Sequence, residues 1–128
     1  MTASLHILRV GLAITFLWVG ILIFKNPVAW GQMVQPWALA LLPVSLKSAM
    51  LMNAVLDVLV GIFLLIDVQV LWASLLGALH LLIVLIVVGI NGITTRDIGL
   101  LAGALALFVN AMPEAWIQKF KLNNGTQK

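Results

Sequence analysis

Asp57 and His80 are the two side chains whose type and position point to chemistry. Each lies near the middle of a long apolar segment, where an ionisable group is costly and therefore marks a candidate functional site. These segments, 46–66 and 68–90, are joined by a turn too short for anything but an antiparallel hairpin. Asp57 precedes Val68 by 11 residues and His80 follows it by 12, so both are expected at the same depth.

An Asp and a His at one depth could share a proton, either as an ion pair or as a neutral hydrogen-bonded pair. Such a pair could relay protons or hydrogen-bond the carbonyl of a quinone-like headgroup. The structural alternative is a polar clasp between two helices. Interhelical hydrogen bonds in membranes contribute only about 0.6 to 2 kcal/mol, which is enough to set helix register. The sequence favours neither interpretation over the other.

Four further residues complete the candidate set. Asn53 lies one helical turn from Asp57, although helix packing is its simpler role. Arg9 lies about 8 Å from the middle of its apolar segment, close enough for its guanidinium to reach the membrane surface. Arg96 and Asp97 suit a local ion pair, a helix cap, or a docking point for a headgroup or partner. The candidate ligand-binding residues are Asp57, His80, Asn53, Arg9, Arg96 and Asp97, and no catalytic residue is assigned.

Four apolar segments must position these side chains, over about residues 5–24, 46–66, 68–90 and 96–112. A helix needs about 20 apolar residues to cross a bilayer, and the fourth segment reaches that length only with its flanks. Hydrophobic residues make up 63% of the chain and charged residues 9%, against about a quarter charged in soluble domains. Residues 1–128 are therefore predicted to form one all-α integral membrane domain, an antiparallel bundle of four transmembrane helices.

Two segments outside these spans are expected at the membrane surface. Residues 25–45 are rich in Pro and Trp, which indicates an interfacial segment with a short helix over Pro36–Leu42. An anchor is favoured for this segment over a lid above a pocket between the helices. The tail 113–128 is predicted to be an amphipathic helix, frayed from Asn123 onward. Thr94 or Thr95 is expected to cap the fourth span.

Small residues indicate which helix faces pack together in lipid. The predicted inward stripes of spans two to four are Asn53, Asp57 and Gly61; Ala73, Gly77, His80 and Val84; and Gly99, Gly103, Ala106 and Asn110. The first span has two possible stripes, and only one can face the bundle. They are Arg9, Ala13, Phe16 and Gly20, or Gly11, Thr15, Trp18 and Leu22.

Composition also excludes several kinds of site. The chain has no cysteine, so thiolate catalysis and Cys-ligated metal centres are excluded. One internal His and one Asp make a poor metal site, and no metal or covalently bound cofactor is predicted. The net charge of +3 includes Lys119, Lys121 and Lys128 of the tail, which indicates lipid headgroups rather than nucleic acid. Four Lys and Arg residues are expected on the membrane side that holds the termini and three on the other side, which favours both termini in the cytoplasm.

Five short motifs follow one another along residues 5–112. They are Leu8-Arg9-Val10-Gly11-Leu12, Phe16-Leu17-Trp18-Val19-Gly20, Asn26-Pro27-Val28-Ala29-Trp30, Leu56-Asp57-Val58-Leu59-Val60-Gly61 and Thr95-Arg96-Asp97-Ile98-Gly99-Leu100-Leu101. In order and spacing they resemble the DoxX/DoxD-like group of small prokaryotic membrane proteins. The resemblance implies a four-helix membrane bundle and a place in a quinone-linked oxidoreductase system.

The resemblance also extends to individual residues. Asp57 matches an acidic position where relatives often carry Glu, and Arg9 and the Arg96-Asp97 pair match charged positions of the group. A Lys that is common three residues after the first-helix Gly is Ile23 here. If that Lys binds an anionic ligand in relatives, this chain either lacks the function or uses Lys25 instead.

The leading functional expectation is a cell-membrane subunit that binds a quinone, or another small lipophilic ligand, between its helices. It would serve a soluble or membrane oxidoreductase partner, or form a homo-oligomer, and have no independent enzymatic activity. The alternative is a non-catalytic scaffold or assembly factor. A small-solute or proton transporter is weaker, because four short helices leave little room for alternating access.

Overall fold

The computed structural model describes residues 1–125, and this part of the chain is helical with no strand. Residues 126–128, including Lys128 of the predicted tail, lie outside the described residues. The helices are α1 (Ala3–Lys25), α2 (Pro27–Gly31), α3 (Pro36–Ala40), α4 (Leu46–Leu65), α5 (Val70–Val88), α6 (Thr95–Ala111) and α7 (Glu114–Gly125).

Three helices, α1, α4 and α5, are each long and apolar enough to cross a membrane. A fourth span is possible if α6 and α7 are counted together, although the chain bends by 99° between them. Pro113 lies at this bend, and proline cannot continue the hydrogen-bond ladder of a helix. The 17 residues of α6 rise by about 26 Å, slightly less than the hydrocarbon core. The short fourth apolar segment expected from the sequence is therefore present.

The four long helices α1, α4, α5 and α6 contact one another in a closed ring. The most extensive contacts join α1 to α4 and α5 to α6, and smaller ones join α4 to α5 and α1 to α6. The backbones of α1 and α4 approach closely because a glycine of α4 has no side chain. A Cβ atom at Gly61 would lie 2.6 Å from Leu17 Cγ and 3.0 Å from the carbonyl oxygen of Ala13.

Burial resolves which face of each long helix points inward. Asp57 and Gly61 of α4, and His80 of α5, are buried as the stripes predicted. On α1 the inward stripe is the one that contains Arg9 and Phe16.

α6 confirms one residue of its predicted inward stripe, Gly103, which packs against Leu8 and Leu12, whereas the other three residues were predicted wrongly. Its buried residues are Asp97, Ala104 and Leu107, whereas Gly99, Ala106 and Asn110 are exposed. Asn110 therefore does not serve helix packing.

Arg9 fixes the start of α1 to the end of α4. Its guanidinium donates hydrogen bonds to the carbonyl oxygens of Leu64 and Leu65 and lies 3.3 Å from Asp67 Oδ1. The last carbonyl groups of a helix lack partners within the helix, and a cation there also complements the helix dipole. The Arg9 side chain is only 8% exposed. The expectation that it reaches the surface was therefore wrong, because it ends on these carbonyl groups.

Replacing Arg9 with methionine is expected to lower the free energy of unfolding by about 1–3 kcal/mol, because buried carbonyl groups of α4 lose their donors. Asp67→Asn provides the control, since Asp67 is 45% exposed and an exposed ion pair contributes less than about 1 kcal/mol. Equilibrium unfolding in mixed detergent micelles measures both. Equal losses for the two variants would show that the ion pair, and not the capped carbonyl groups, carries the stability.

Candidate ligand-binding site

A cavity of about 290 Å³ lies between α1, α4, α5, the start of α6 and the segment that follows α1. Its walls are mainly apolar, as is usual for small-molecule sites. Seven polar or charged residues interrupt them: Thr15, Asn53, Asp57, His80, Thr94, Arg96 and Asp97. The volume is near the lower end of the range for ligand pockets, which suits a ring-sized group.

The Asp57–His80 pair lies on the wall formed by α4 and α5. His80 Nε2 is 3.0 Å from Asp57 Oδ1, and both side chains are buried. Asn53 Nδ2 donates to the other carboxylate oxygen, Oδ2, at 3.4 Å. Both carboxylate oxygens of Asp57 therefore have a polar neighbour. The contact also confirms the prediction from the hairpin that Asp57 and His80 lie at the same depth.

Gly20 of α1 allows the backbone of this helix to pack closely against α4 beside the Cβ atom of Asp57. A Cβ atom at Gly20 would lie 3.0 Å from the carbonyl oxygen of Ala54 and 3.2 Å from Asp57 Cβ. No side chain larger than hydrogen fits between the two helices there. The close packing of α1 thus limits the positions that the Asp57 side chain can take and leaves the cavity side as the open one.

A second charged pair lies at the first turn of α6. Arg96 Nε is 3.5 Å from Asp97 Oδ1; the Arg96 side chain is 51% exposed, whereas that of Asp97 is buried. Asp97 is also close enough to interact electrostatically with Asp57 and His80. Of the alternatives considered for Arg96 and Asp97, the local ion pair is confirmed.

The predicted capping of α6 by a threonine side chain was wrong. Thr94 occupies the N-cap position, but its side chain makes no capping hydrogen bond. Its hydroxyl instead donates to the carbonyl oxygen of Gly89 at 2.6 Å and accepts from the backbone N–H of Asn91 at 2.9 Å. Thr94 therefore ties the α5–α6 loop to the end of α5.

The segment between α1 and α4 covers the cavity, and Gln35 attaches it to the end of α5. The backbone N–H of Gln35 donates to the carbonyl oxygen of Val87 at 3.1 Å, and its side-chain amide donates to that of Val88 at 3.2 Å. Gly89 has a φ of +81°, and a Cβ there would lie 2.5 Å from Gln35 Nε2. The glycine thus provides both the turn and the space that this attachment needs.

The covering segment differs from the sequence-based expectation in its local structure. Its short helix α3 ends at Ala40 and not at Leu42, and a further helix, α2, follows α1 directly. Trp30, Met33 and Val34 line the cavity, which is the geometry that the lid hypothesis required. The favoured role of the segment as an interfacial anchor stays a prediction.

The cavity brings together five of the six candidate residues and leaves one out. Asn53, Asp57, His80, Arg96 and Asp97 all line it. Arg9 does not, because its side chain is held at the far end of α4.

Sequence reasoning missed Trp30, Gln35 and Thr94. Gln35 precedes a proline and has extended backbone, which leaves its N–H free for a partner outside a helix. Nothing in the sequence indicates that this partner is Val87.

Comparison with known proteins adds no relative to this description. No family model, no curated protein and no solved structure matches the chain. Within residues 1–125, no group of three or more His, Cys, Asp or Glu side chains could hold a metal ion.

Proposed function

We propose that this chain is a multi-pass protein of the cell membrane, with both termini in the cytoplasm and α1, α4, α5 and α6 as an antiparallel four-helix bundle. Three observations support the membrane-spanning bundle: the apolar helices, the ring of contacts between them, and the apolar outer surface. On α5, for example, Trp72, Leu79, Ile83 and Ile86 are about half exposed. Such a surface suits lipid better than water. The orientation of the termini is supported by the loop charges alone.

The cavity is proposed to bind a small lipophilic molecule with a polar oxygen, of which a quinone headgroup is the clearest example. The observation that carries this proposal is the Asp57–His80 pair, held on the wall of a largely apolar cavity. Ionisable groups inside membrane proteins typically mark sites for ligands, ions or protons.

The residues present fit such a group. The apolar walls accept a ring, and His80, Asn53 and Arg96 bring hydrogen-bonding atoms to the same cavity. At about 290 Å³, the cavity suits a headgroup but is too small for a long isoprenoid tail. Such a tail would have to extend out of the cavity between the helices. A quinone would supply electron-accepting chemistry when bound, while this chain would bind, orient and exchange protons with it.

The sequence motifs alone support two further proposals. The chain serves an oxidoreductase partner, and it belongs to the DoxX/DoxD-like group. Gly103 does not support the scaffold alternative, because a Cβ atom at this position would meet Leu8 and Leu12 of α1 within the same chain. Gly103 thus serves internal packing. A partner surface on this helix would have to use its exposed face instead.

Native mass spectrometry of the full chain in mild detergent, with lipid extraction of the same sample, tests the binding proposal. We expect one copy of a lipophilic molecule per chain, lost in Asp57→Asn and retained in Asp67→Asn. The second variant makes the same chemical change at a carboxylate outside the cavity. A folded wild-type protein without such a molecule, isolated with a stable protein partner, would favour the scaffold function instead.

A further inference from the structure

His80 has two ring nitrogens, and the structure distinguishes their surroundings. Nε2 lies against Asp57 Oδ1 at 3.0 Å. Within residues 1–125, Nδ1 has no hydrogen-bond partner, although the ring lines the cavity. Nδ1 is therefore the nitrogen available to a bound molecule. Its behaviour as donor or acceptor depends on the proton that the ring shares with Asp57.

The pair has two relevant proton states. When it carries one exchangeable proton, either His80 is charged or Asp57 is neutral and donates to Nε2. In both forms Nδ1 bears hydrogen and donates. When that proton is lost, the ring keeps a single proton, which lies on Nε2 and faces the Asp57 carboxylate, and Nδ1 becomes an acceptor. The loss of one proton thus changes His80 Nδ1 from a hydrogen-bond donor into an acceptor.

Other charges near the pair come only from α6 among the cavity-lining residues. Asp97 interacts electrostatically with both Asp57 and His80, and Arg96 lies against Asp97. The cavity-lining residues of α1 and of the covering segment carry no charge. Because Arg96 and Asp97 offset each other, the pair itself sets whether the cavity has no net charge or one negative charge.

We infer that the proton state of the Asp57–His80 pair selects the ligand: a lipophilic carbonyl compound binds only the protonated pair, whereas a lipophilic hydroxyl compound binds either state. A carbonyl oxygen only accepts hydrogen bonds, so it can bond to Nδ1 only when Nδ1 bears hydrogen. A hydroxyl group both donates and accepts, so it can adapt to either form. This inference rests on the proposed function and specifies the chemistry of its ligand.

The pH dependence follows with a definite sign. A ligand that binds only the protonated pair raises the proton affinity of that pair, and its own affinity falls as pH rises through the titration of the free site. Beyond that point the dissociation constant of a carbonyl compound is expected to rise by about tenfold per pH unit, as for any one-proton linkage. The dissociation constant of a hydroxyl compound should stay nearly constant.

Saturation binding of a naphthoquinone and a naphthol to the full chain in lipid nanodiscs tests this difference. Binding is measured from about pH 5 to about pH 8, the range in which histidine ordinarily titrates, and empty nanodiscs are subtracted. We expect naphthoquinone binding to weaken with pH and naphthol binding to remain. Equal pH profiles for the two compounds would overturn the inference but leave ligand binding intact. Failure of both compounds to bind at any pH would count against the proposed function itself.

Two variants locate the titrating group. His80→Gln keeps an amide donor but cannot titrate, so its naphthoquinone binding should no longer depend on pH; retained naphthol binding shows that the variant is folded. Asp97→Asn removes the other buried carboxylate of the cavity, and its naphthoquinone affinity should still fall as pH rises, even if the affinity itself changes. A pH dependence that persists in His80→Gln and disappears in Asp97→Asn would assign the effect to Asp97 and overturn the inference.

Discussion

Replacing Gly61 with alanine is expected to lower the free energy of unfolding by about 1–3 kcal/mol. The added methyl group would lie 2.6 Å from Leu17 Cγ, 2.9 Å from the backbone nitrogen of Leu17 and 3.0 Å from the carbonyl oxygen of Ala13. Two of these atoms belong to the backbone of α1, so a rotamer change cannot relieve the clash. The two helices must separate along their contact, which is among the most extensive in the fold.

Gly11 provides the matched control on the opposing helix, α1. A Cβ atom there would meet nothing within 4 Å, so Gly11→Ala should raise the stability by up to about 1 kcal/mol through helix propensity. The same Gly→Ala change is thus expected to lower the free energy of unfolding at Gly61 and to raise it at Gly11. Equilibrium unfolding in mixed micelles measures both. A stability of Gly61→Ala equal to or above that of the wild type would show that α1 and α4 do not pack this closely.

The central pair could be predicted because covalent connectivity determines it. A short turn between two apolar segments forces them to run side by side, and equal distances from the turn bring Asp57 and His80 to the same level. Helical periodicity then places Asp57 on the same face as Gly61, which is buried. These are local properties of a hairpin, and they require no knowledge of the other helices.

The inward face of α6 could not be predicted in the same way. The small-residue rule selected Gly99, but nothing would lie within 4 Å of a Cβ atom at that position. Ala104 and Leu107 are buried instead. Both faces of this helix contain apolar and small residues, so the sequence offers little contrast between lipid and protein. The choice is made by contacts with the preceding helix, α5, and with α1, which is distant in the sequence.

Long-range contacts also determine the hydrogen-bond partners of Arg9 and Gln35, which lie at the ends of α4 and α5. Arg9 was predicted to reach water because a long side chain near a helix end can do so. The structure offers it backbone carbonyl groups of α4, 55 and 56 residues away along the chain. Gln35 likewise finds its partners on α5. Backbone acceptors of this kind carry no sequence signature.

Replacing either member of the Asp57–His80 pair with leucine is expected to cost about 1–3 kcal/mol, whereas replacing both should cost nearly nothing. A single replacement leaves one buried polar group without its partner, and that group keeps its desolvation penalty. The double replacement removes both polar groups, and apolar side chains suit the mainly apolar surroundings. Double-mutant cycles in mixed micelles measure the coupling, with Ser74 as a control position on α5, because its hydroxyl bonds the carbonyl oxygens of Val70 and Leu71.

The outcome separates the two roles considered for the pair. If the double variant is as stable as the wild type but binds no ligand, the pair contributes little net stability and its role is in binding. If the double variant is less stable than either single variant, the pair acts as the polar clasp that holds α4 against α5. The first result is expected, because a hydrogen bond between membrane helices contributes only about 0.6 kcal/mol on average. Two ionisable groups at this depth are too costly an arrangement for so small a gain in packing.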